Sequence, residues 1–399
     1  MLTGFPMPLS GLKVLDLTNV IYGPYATQIL GDFGADVIKI EPPVGDVTRA
    51  IGPKRNPDMS ALFLGSNRNK RSIVLDLKEE TSRAALWALI EGADVFVHNM
   101  RPQKIDSLGF GAQAVFKRKP DIIYSALLGY HTDGPYSGMP AYDDVIQGQS
   151  GLAGTFTARD GEPVLAPTIL ADKTAGLQAA NGMMAAVIRR IASGKGVMVE
   201  TSMFEGMVGY VMLEHQQGTM FNPPISGPGY ARALSRDRRP HRTEDGFICM
   251  LAYSDLHWQK FWTLTNQPDK AVDPKFANVS LRADNIDELY GLVAKALANK
   301  PTATWLKLLQ DADIPAGPVN RLEDVLDDKH LKEIDFFRPF EHPTEGPIEV
   351  PDTPYRLDGD RLPIARHQPS LGEHTREVLS EAGLSPHEID AVTKERSGT

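Results

Sequence analysis

The peptide Pro167-Thr-Ile-Leu-Ala-Asp-Lys-Thr-Ala-Gly176 sets a lone carboxylate, Asp172, at the mouth of a run of small and apolar residues. A carboxylate so placed can act as a covalent nucleophile. Asp is also a favoured helix N-cap, worth about 1 kcal/mol, and spacing alone favours the cap. The run from Ala175 through Ile191 is apolar on most sides, so the helix it predicts should be buried, with Asp172 as N-cap and Gly194 as its C-terminal stop. The setting argues for chemistry. An Asp beside a buried helix, a Gly-rich loop and a strand edge sits where α/β proteins bind ligands.

Other constellations point less sharply. Arg232, Arg236, Arg238, Arg239 and Arg242 lie close together, and Arg68, Lys70 and Arg71 form a second basic group. Arg suits phosphate because its planar fork donates two hydrogen bonds at once. In an acidic protein both clusters suggest a small polyanionic ligand, although a solvated surface loop explains each alone equally well. His98, His131, His215 and His374 are scattered without ligand spacing, so no metal is expected. Ser150, in Gln149-Ser-Gly, lacks the Gly-x-Ser-x-Gly elbow of a Ser nucleophile.

The elements that must position these residues read as α/β. Between Lys13 and about Met203, β-type runs at Val14, Val37, Ile73, Val95, Ile122 and Val197 alternate with helical patterns, which predicts a parallel sheet covered by helices. Pro24 suits the opening turn of the first helix and Gly34 ends it. The turn Thr18-Asn-Val-Ile-Tyr-Gly23 has no Gly-x-Gly-x-x-Gly, so the usual dinucleotide cradle is missing from this Rossmann-like start. Gly109-Phe-Gly-Ala-Gln-Ala114 fits the loose pattern but follows Lys104-Ile-Asp-Ser-Leu rather than a strand. A nicotinamide-dependent dehydrogenase is opposed on those grounds.

At 399 residues the chain exceeds what one core usually serves. The expected division is a large domain over 1–221, a Pro-, Gly- and Arg-rich linker over 222–246, a small α+β domain over 247–325 and a return segment over 326–399 that wraps back to complete the large domain. The net charge of -9 argues against general nucleic-acid binding. A single Cys, Cys249, excludes an intramolecular disulfide and suits a reducing compartment. The N-terminus lacks a signal-peptide pattern and no apolar run reaches spanning length, so no membrane partner and a cytoplasmic location are expected.

Taken in order, Leu9-Ser-Gly-Leu-Lys-Val-Leu-Asp-Leu, Gly23-Pro, Gly34-Ala-Asp-Val-Ile-Lys-Ile-Glu-Pro-Pro, Asn69-Lys-Arg-Ser-Ile-Val-Leu-Asp-Leu-Lys78, Ala93-Asp-Val-Phe-Val-His-Asn, Ile314-Pro-Ala-Gly-Pro-Val and Leu371-Gly-Glu-His-Thr cover nearly the whole chain. Together they resemble the family III CoA-transferases, which include formyl-CoA transferase, carnitine CoA-transferase and the bile-acid-inducible F proteins. The resemblance implies that Asp172 is the nucleophile and carries CoA as an aspartyl thioester. It also implies that Val20, Leu75, Lys78, Asn99 and Arg101 contact CoA, that Tyr142 and Asp143 are the family's Tyr-acidic pair, and that two ring-like chains interlock as a homodimer. A CoA thioester is then substrate, with no permanently bound cofactor, and a carboxylic acid is the acceptor. Backbone N–H groups at the start of the Asp172 helix are expected to stabilise oxyanions.

The sequence departs from the family in places. Ser235-Arg-Asp-Arg-Arg-Pro-His-Arg replaces the Gly-rich flap of formyl-CoA transferase, which puts oxalate and formate in doubt as substrates. Ser107 stands where that enzyme has an Arg, so a phosphate or adenine contact must come from elsewhere. The related α-methylacyl-CoA racemases use a His where this chain has Tyr142. A 2-methylacyl-CoA racemase or epimerase is the alternative within the fold, and a non-catalytic acyl-CoA-binding protein the alternative outside catalysis.

Overall fold

Runs rich in Val, Ile and Leu form one sheet in the computed structural model, which describes residues 6–394. Its strands are β1 (Lys13–Leu17), β2 (Asp36–Glu41), β3 (Lys70–Val74), β4 (Val95–His98), β5 (Ile123–Leu128) and β6 (Val197–Ser202). They pair in the order β3-β2-β1-β4-β5-β6, all parallel. The α/β reading of the sequence is this sheet. β3 begins at Lys70, three residues before the apolar run that predicts it, because the polar residues Lys70, Arg71 and Ser72 pair with β2 while buried.

Five helices matter for the site. They are α1 (Tyr22–Asp32), α2 (Glu80–Glu91), α3 (Pro102–Ser107), α4 (Asp143–Gln149) and α5 (Leu170–Ser193). Pro24 lies in the first turn of α1 and Gly34 follows its end with φ +96°. On one face of the sheet Leu15, Leu17, Ile38, Ile40, Ile73 and Phe96 pack with Leu86, Leu89 and Ile90 of α2 and with Val378 and Leu379 of the helix Thr375–Glu381. Period-two alternation sends Val14 and Asp16 to the other face. There α1 and α5 approach so closely that a Cβ on Gly176 would meet the Tyr22 carbonyl and the Tyr25 ring at 3.0 Å.

Two expectations need correction here. α5 buries Ala171, Ala175, Ala179, Ala180 and Met183 but leaves Leu177, Ile188 and Ile191 exposed, the last two at 69% and 80%. Its small residues recur at helical spacing on one side only, so one side packs. Gly194 does close the helix, with φ +66°. The basic trio is not a ligand site: Arg68 pairs with Asp32 at 2.7 Å, Lys70 with Asp16 at 3.1 Å, and Arg71 with Asp36, Glu377 and Glu381. All three are buried cations whose partners lie on neighbouring elements.

The chain divides into two compact units. The first comprises residues up to Ser150, Ala166–Gly209 and from Phe336 onward; the second comprises Gly151–Leu165 and Tyr210–Asp335. These boundaries differ from those expected. Residues 222–246 are not a bare linker, since they hold the helix Ala231–Leu234 and β7 (His241–Arg242), and Arg232 Nε donates to Tyr290 Oη at 3.0 Å. β7 pairs with β8 (Phe247–Met250), which pairs with β9 (Ala316–Pro318), both antiparallel. Trp258, Phe261, Trp262, Leu289, Val293 and Trp305 form the core of that unit. In the first unit the hairpin β10 (Phe337–His342) and β11 (Gly346–Pro351) opens the C-terminal segment. No helix among the described residues is long and apolar enough to cross a membrane.

Candidate active site

β1 and β4 are adjacent, and the chain winds outward from them to opposite ends of the sheet. Crevices beyond the carboxyl ends of such strands are where parallel sheets bind ligands. The turns that follow the two strands clasp each other: Asn19 N–H donates to Asn99 Oδ1 at 3.2 Å, and Asn99 Nδ2 donates to Asn19 O at 2.9 Å. Between them Val20 adopts φ +68°. A β-branched residue rarely takes that left-handed conformation, so its surroundings must impose it. The Val20 N–H donates to Asp46 Oδ1 at 3.3 Å, and Asp46 is held by buried Lys39 at 2.8 Å. Lys39 also donates to Thr18 O at 3.0 Å, so one buried ion pair supports both ends of the turn.

Asp172 is the third residue of α5, and Ile169 occupies the cap position. The N-cap expectation therefore fails. Asp143 does the satisfying instead: its Oδ1 accepts from Asp172 N–H at 3.1 Å and its Oδ2 from Gln147 Nε2 at 2.6 Å. Gln147 in turn donates to Thr168 O and accepts from Ala166 N–H, which fixes the approach to α5. Leu170 N–H is engaged by Thr168 O at 2.7 Å. Two of the first N–H groups of the helix thus already have partners, which narrows the supply of oxyanion donors expected there.

Asp172 lines a cavity of about 390 Å³ together with Asn19, Val20, Tyr22, Asn99, Arg101 and Tyr142. Burial, and then the neighbouring charge of Asp143, push the Asp172 carboxyl up to about 6. It is mostly ionised at neutral pH, yet more basic than an ordinary carboxylate. Tyr22 beside it is pushed well above the usual phenol range, by burial and then by the Asp172 charge, and its hydroxyl donates to Thr201 O at 2.8 Å. A second cavity of about 200 Å³ adjoins the first, lined by Leu17, Ile40, Leu75, Lys78 and Leu108. Asn19, Met100 and Lys104 line both.

The family model described as CoA-transferase family III matches residues 9–375. The chain belongs to CoA-transferase family III. It is 33% identical to succinyl-CoA:glutarate CoA-transferase of Mus musculus, over 94% of this chain and 86% of that one. Formyl-CoA:oxalate CoA-transferase of Bradyrhizobium sp. (strain ORS 278) is 30% identical over 96% of each. Among solved structures, Rv3272 from Mycobacterium tuberculosis in its orthorhombic form aligns with a TM-score of 0.79 at 31% identity, over 92% of this chain and 98% of that one. A CAIB/BAIF family protein from Brucella suis aligns with a TM-score of 0.79 at 29% identity, over 95% and 100%. This protein is accordingly an enzyme of the family III CoA-transferase type, with CoA transfer between an acyl-CoA and an acid as its chemistry.

The residues singled out in this CoA-transferase divide cleanly. Asp172, Val20, Asn99, Arg101 and Tyr142 share the larger cavity, and Leu75 and Lys78 line the smaller one. Asp143 lines neither; it is buried behind Asp172. Arg232 to Arg242 belong to the second unit, where Arg239 pairs with Asp237 and Arg242 lies 4.9 Å from the Phe247 ring centre. Among the described residues no group of three or more His, Cys, Asp or Glu could hold a metal. Sequence reasoning missed Asn19, Tyr22, Asp46 and Lys104. A usable signal existed for Lys104, which lies one helical turn before Ser107 and so shares its side of α3. For Asp46 the only signal was its place in the Gly-Asp pair after β2.

Proposed function

We propose that Asp172 is the covalent carrier in CoA transfer. A carboxylate oxygen of Asp172 attacks the donor thioester carbonyl, the C–S bond breaks, and a mixed anhydride and CoA thiolate result. The thiolate then attacks Cγ of Asp172 and expels the donor acid as carboxylate, leaving an aspartyl-CoA thioester. The acceptor carboxylate attacks that thioester, and the released thiolate takes the acceptor acyl group from the second anhydride, which restores Asp172. No net proton moves. The observation that carries the reading is a buried carboxylate, raised to about 6, on a residue that lines a cavity at the sheet's switch point. Its mild basicity favours attack while leaving it ionised at neutral pH.

On this reading Val20, Asn99 and Arg101 meet the thioester side of CoA, Leu75 and Lys78 its distal end, and Tyr142 the acid. Asp143 acts as a positioning residue through its bond to the Asp172 N–H. Relatives are named for glutarate and for oxalate as acceptors, so a small dicarboxylic acid is the first acceptor class to try. A homodimer belongs to the same reading, supported by the exposed Ile188 and Ile191 on α5, and the lone exposed Cys249 suits a reducing cytoplasm. Incubation with acyl-CoA donors followed by peptide mass spectrometry should find a CoA adduct on the Asp172 peptide, and Asp172→Ala should abolish exchange of CoA between acids. An adduct on another residue, or near wild-type exchange by the variant, would sink the assignment. Deuterium exchange at the α-carbon of a 2-methylacyl-CoA without transfer would favour racemisation.

A further inference from the structure

The two cavities of the first unit meet at Asn19, Met100 and Lys104, and of these Lys104 alone carries a charge. Its side chain is exposed on α3, and among the described residues no carboxylate or hydrogen-bond acceptor engages its ammonium. The contrast with Lys39 and Lys70 is plain, since both of those are buried against carboxylates. Ser107, one turn later, lines neither cavity and turns its hydroxyl back to Lys104 O at 2.8 Å. The unpaired cation that α3 offers to the two cavities is therefore Lys104.

CoA has a fixed covalent order: adenosine 3′-phosphate, diphosphate, pantetheine, thiol. The reading of Asp172 as nucleophile, on which this inference rests, puts the thioester in the larger cavity. The smaller cavity is mostly apolar, walled by Leu17, Ile40, Leu75 and Leu108 with Glu41, Asp46, Asp76 and Lys78 also lining it, and its apolar walls suit a flat base. A ligand with one end in each must carry its diphosphate past their junction. We propose that Lys104 Nζ binds the diphosphate of the CoA thioester at that junction. An ammonium binds phosphate as a compact point charge through charge-assisted hydrogen bonds, and a hydrogen bond to a charged group is worth roughly a tenfold change in affinity.

The test uses the full-length enzyme and compares acyl thioesters of CoA, of dephospho-CoA, which lacks only the 3′-phosphate, and of pantetheine, which lacks the diphosphate and adenosine. Lys104→Ala should raise KM for the CoA and dephospho-CoA thioesters in step, so that preference for either over the pantetheine thioester in kcat/KM falls about tenfold. Lys104→Arg should restore most of that preference. A loss confined to the CoA thioester would place Lys104 on the 3′-phosphate and overturn the proposal, as would an equal loss for all three substrates or none. Calorimetric binding of free CoA and dephospho-CoA to Asp172→Ala, with and without Lys104→Ala, tests the contact without turnover. Equal weakening of both supports it even where the covalent mechanism fails, and unchanged affinity refutes it even where Asp172 proves to be the nucleophile.

Discussion

Replacing Asp172 with its neutral isostere should end transfer and stabilise the fold. The folded protein raises this carboxyl from 3.8 to about 6, through burial first and the Asp143 charge second. At 1.36 kcal/mol per pKa unit, that shift sets an upper bound of about 3 kcal/mol on the cost of ionising Asp172 in the folded state. The residue is only 9% exposed, so solvent screens little of it. No hydrogen bond among the described residues ends on its carboxylate, so Asn forfeits none. The sign follows from proton counting: between pH about 4 and about 6 the folded chain keeps a proton that the unfolded chain has lost, so the wild type loses stability as pH rises through that window. The Asp172→Asn variant escapes that loss. Its advantage should be about 1 kcal/mol or less near pH 4.5 and about 2–3 kcal/mol above pH 7, which in a chain of this size is a gain of a few degrees in Tm. Thermal unfolding of both proteins at pH 4.5 and 7.5, at one ionic strength, measures the difference directly. A variant no more stable than wild type at pH 7.5, or one whose advantage is the same at both pH values, would refute the argument that the site holds Asp172 against ionisation.

Other outcomes follow from named contacts. Wild-type kcat/KM should fall on the acid side with a limb near 6 as Asp172 takes up its proton, and Asp143→Asn should move that limb to lower pH by removing a like charge; a pH–rate profile of each protein checks it. Lys70→Ala leaves Asp16, fully buried and held down to about 2 by Lys70 and Lys39 against its burial, without its nearest cation. Chemical denaturation should show a loss of about 3–5 kcal/mol. Gly176→Val sets a side chain against the Tyr22 carbonyl and the Tyr25 ring, each 3.0 Å from where its Cβ would lie. Separating α1 from α5 should cost about 1–3 kcal/mol and lower turnover as well, because α1 carries Tyr22 into the Asp172 cavity; unfolding curves and kcat together check this.

Strand periodicity made the sheet legible, because aliphatic runs of β type buried on both faces of a parallel sheet have few other uses. Gly34 and Gly194 marked helix ends for a local reason, their left-handed backbone. The misreadings share a cause of another kind. Arg68, Lys70 and Arg71 read as a polyanion site or a solvated loop because their partners Asp32, Asp16 and Asp36 lie on elements that only the fold brings beside them. Residues 222–246 read as a linker because β7 is two residues long and draws its stability from pairing with β8.

For the site, the chain by itself proposed which carboxylate to choose and which turns accompany it: the family resemblance carried by its ordered motifs named Asp172, Val20, Asn99, Arg101 and Tyr142, and all five line one cavity. Tertiary structure alone decided what that carboxylate is. Asp172 is not the cap of its helix, because α5 begins two residues before it, and Asp143, 29 residues earlier, accepts from its N–H. Burial, and then that same proximity, raise its pKa. Helix propensity acts between neighbours in sequence, whereas desolvation and charge act between neighbours in space, and only the folded chain fixes the second set.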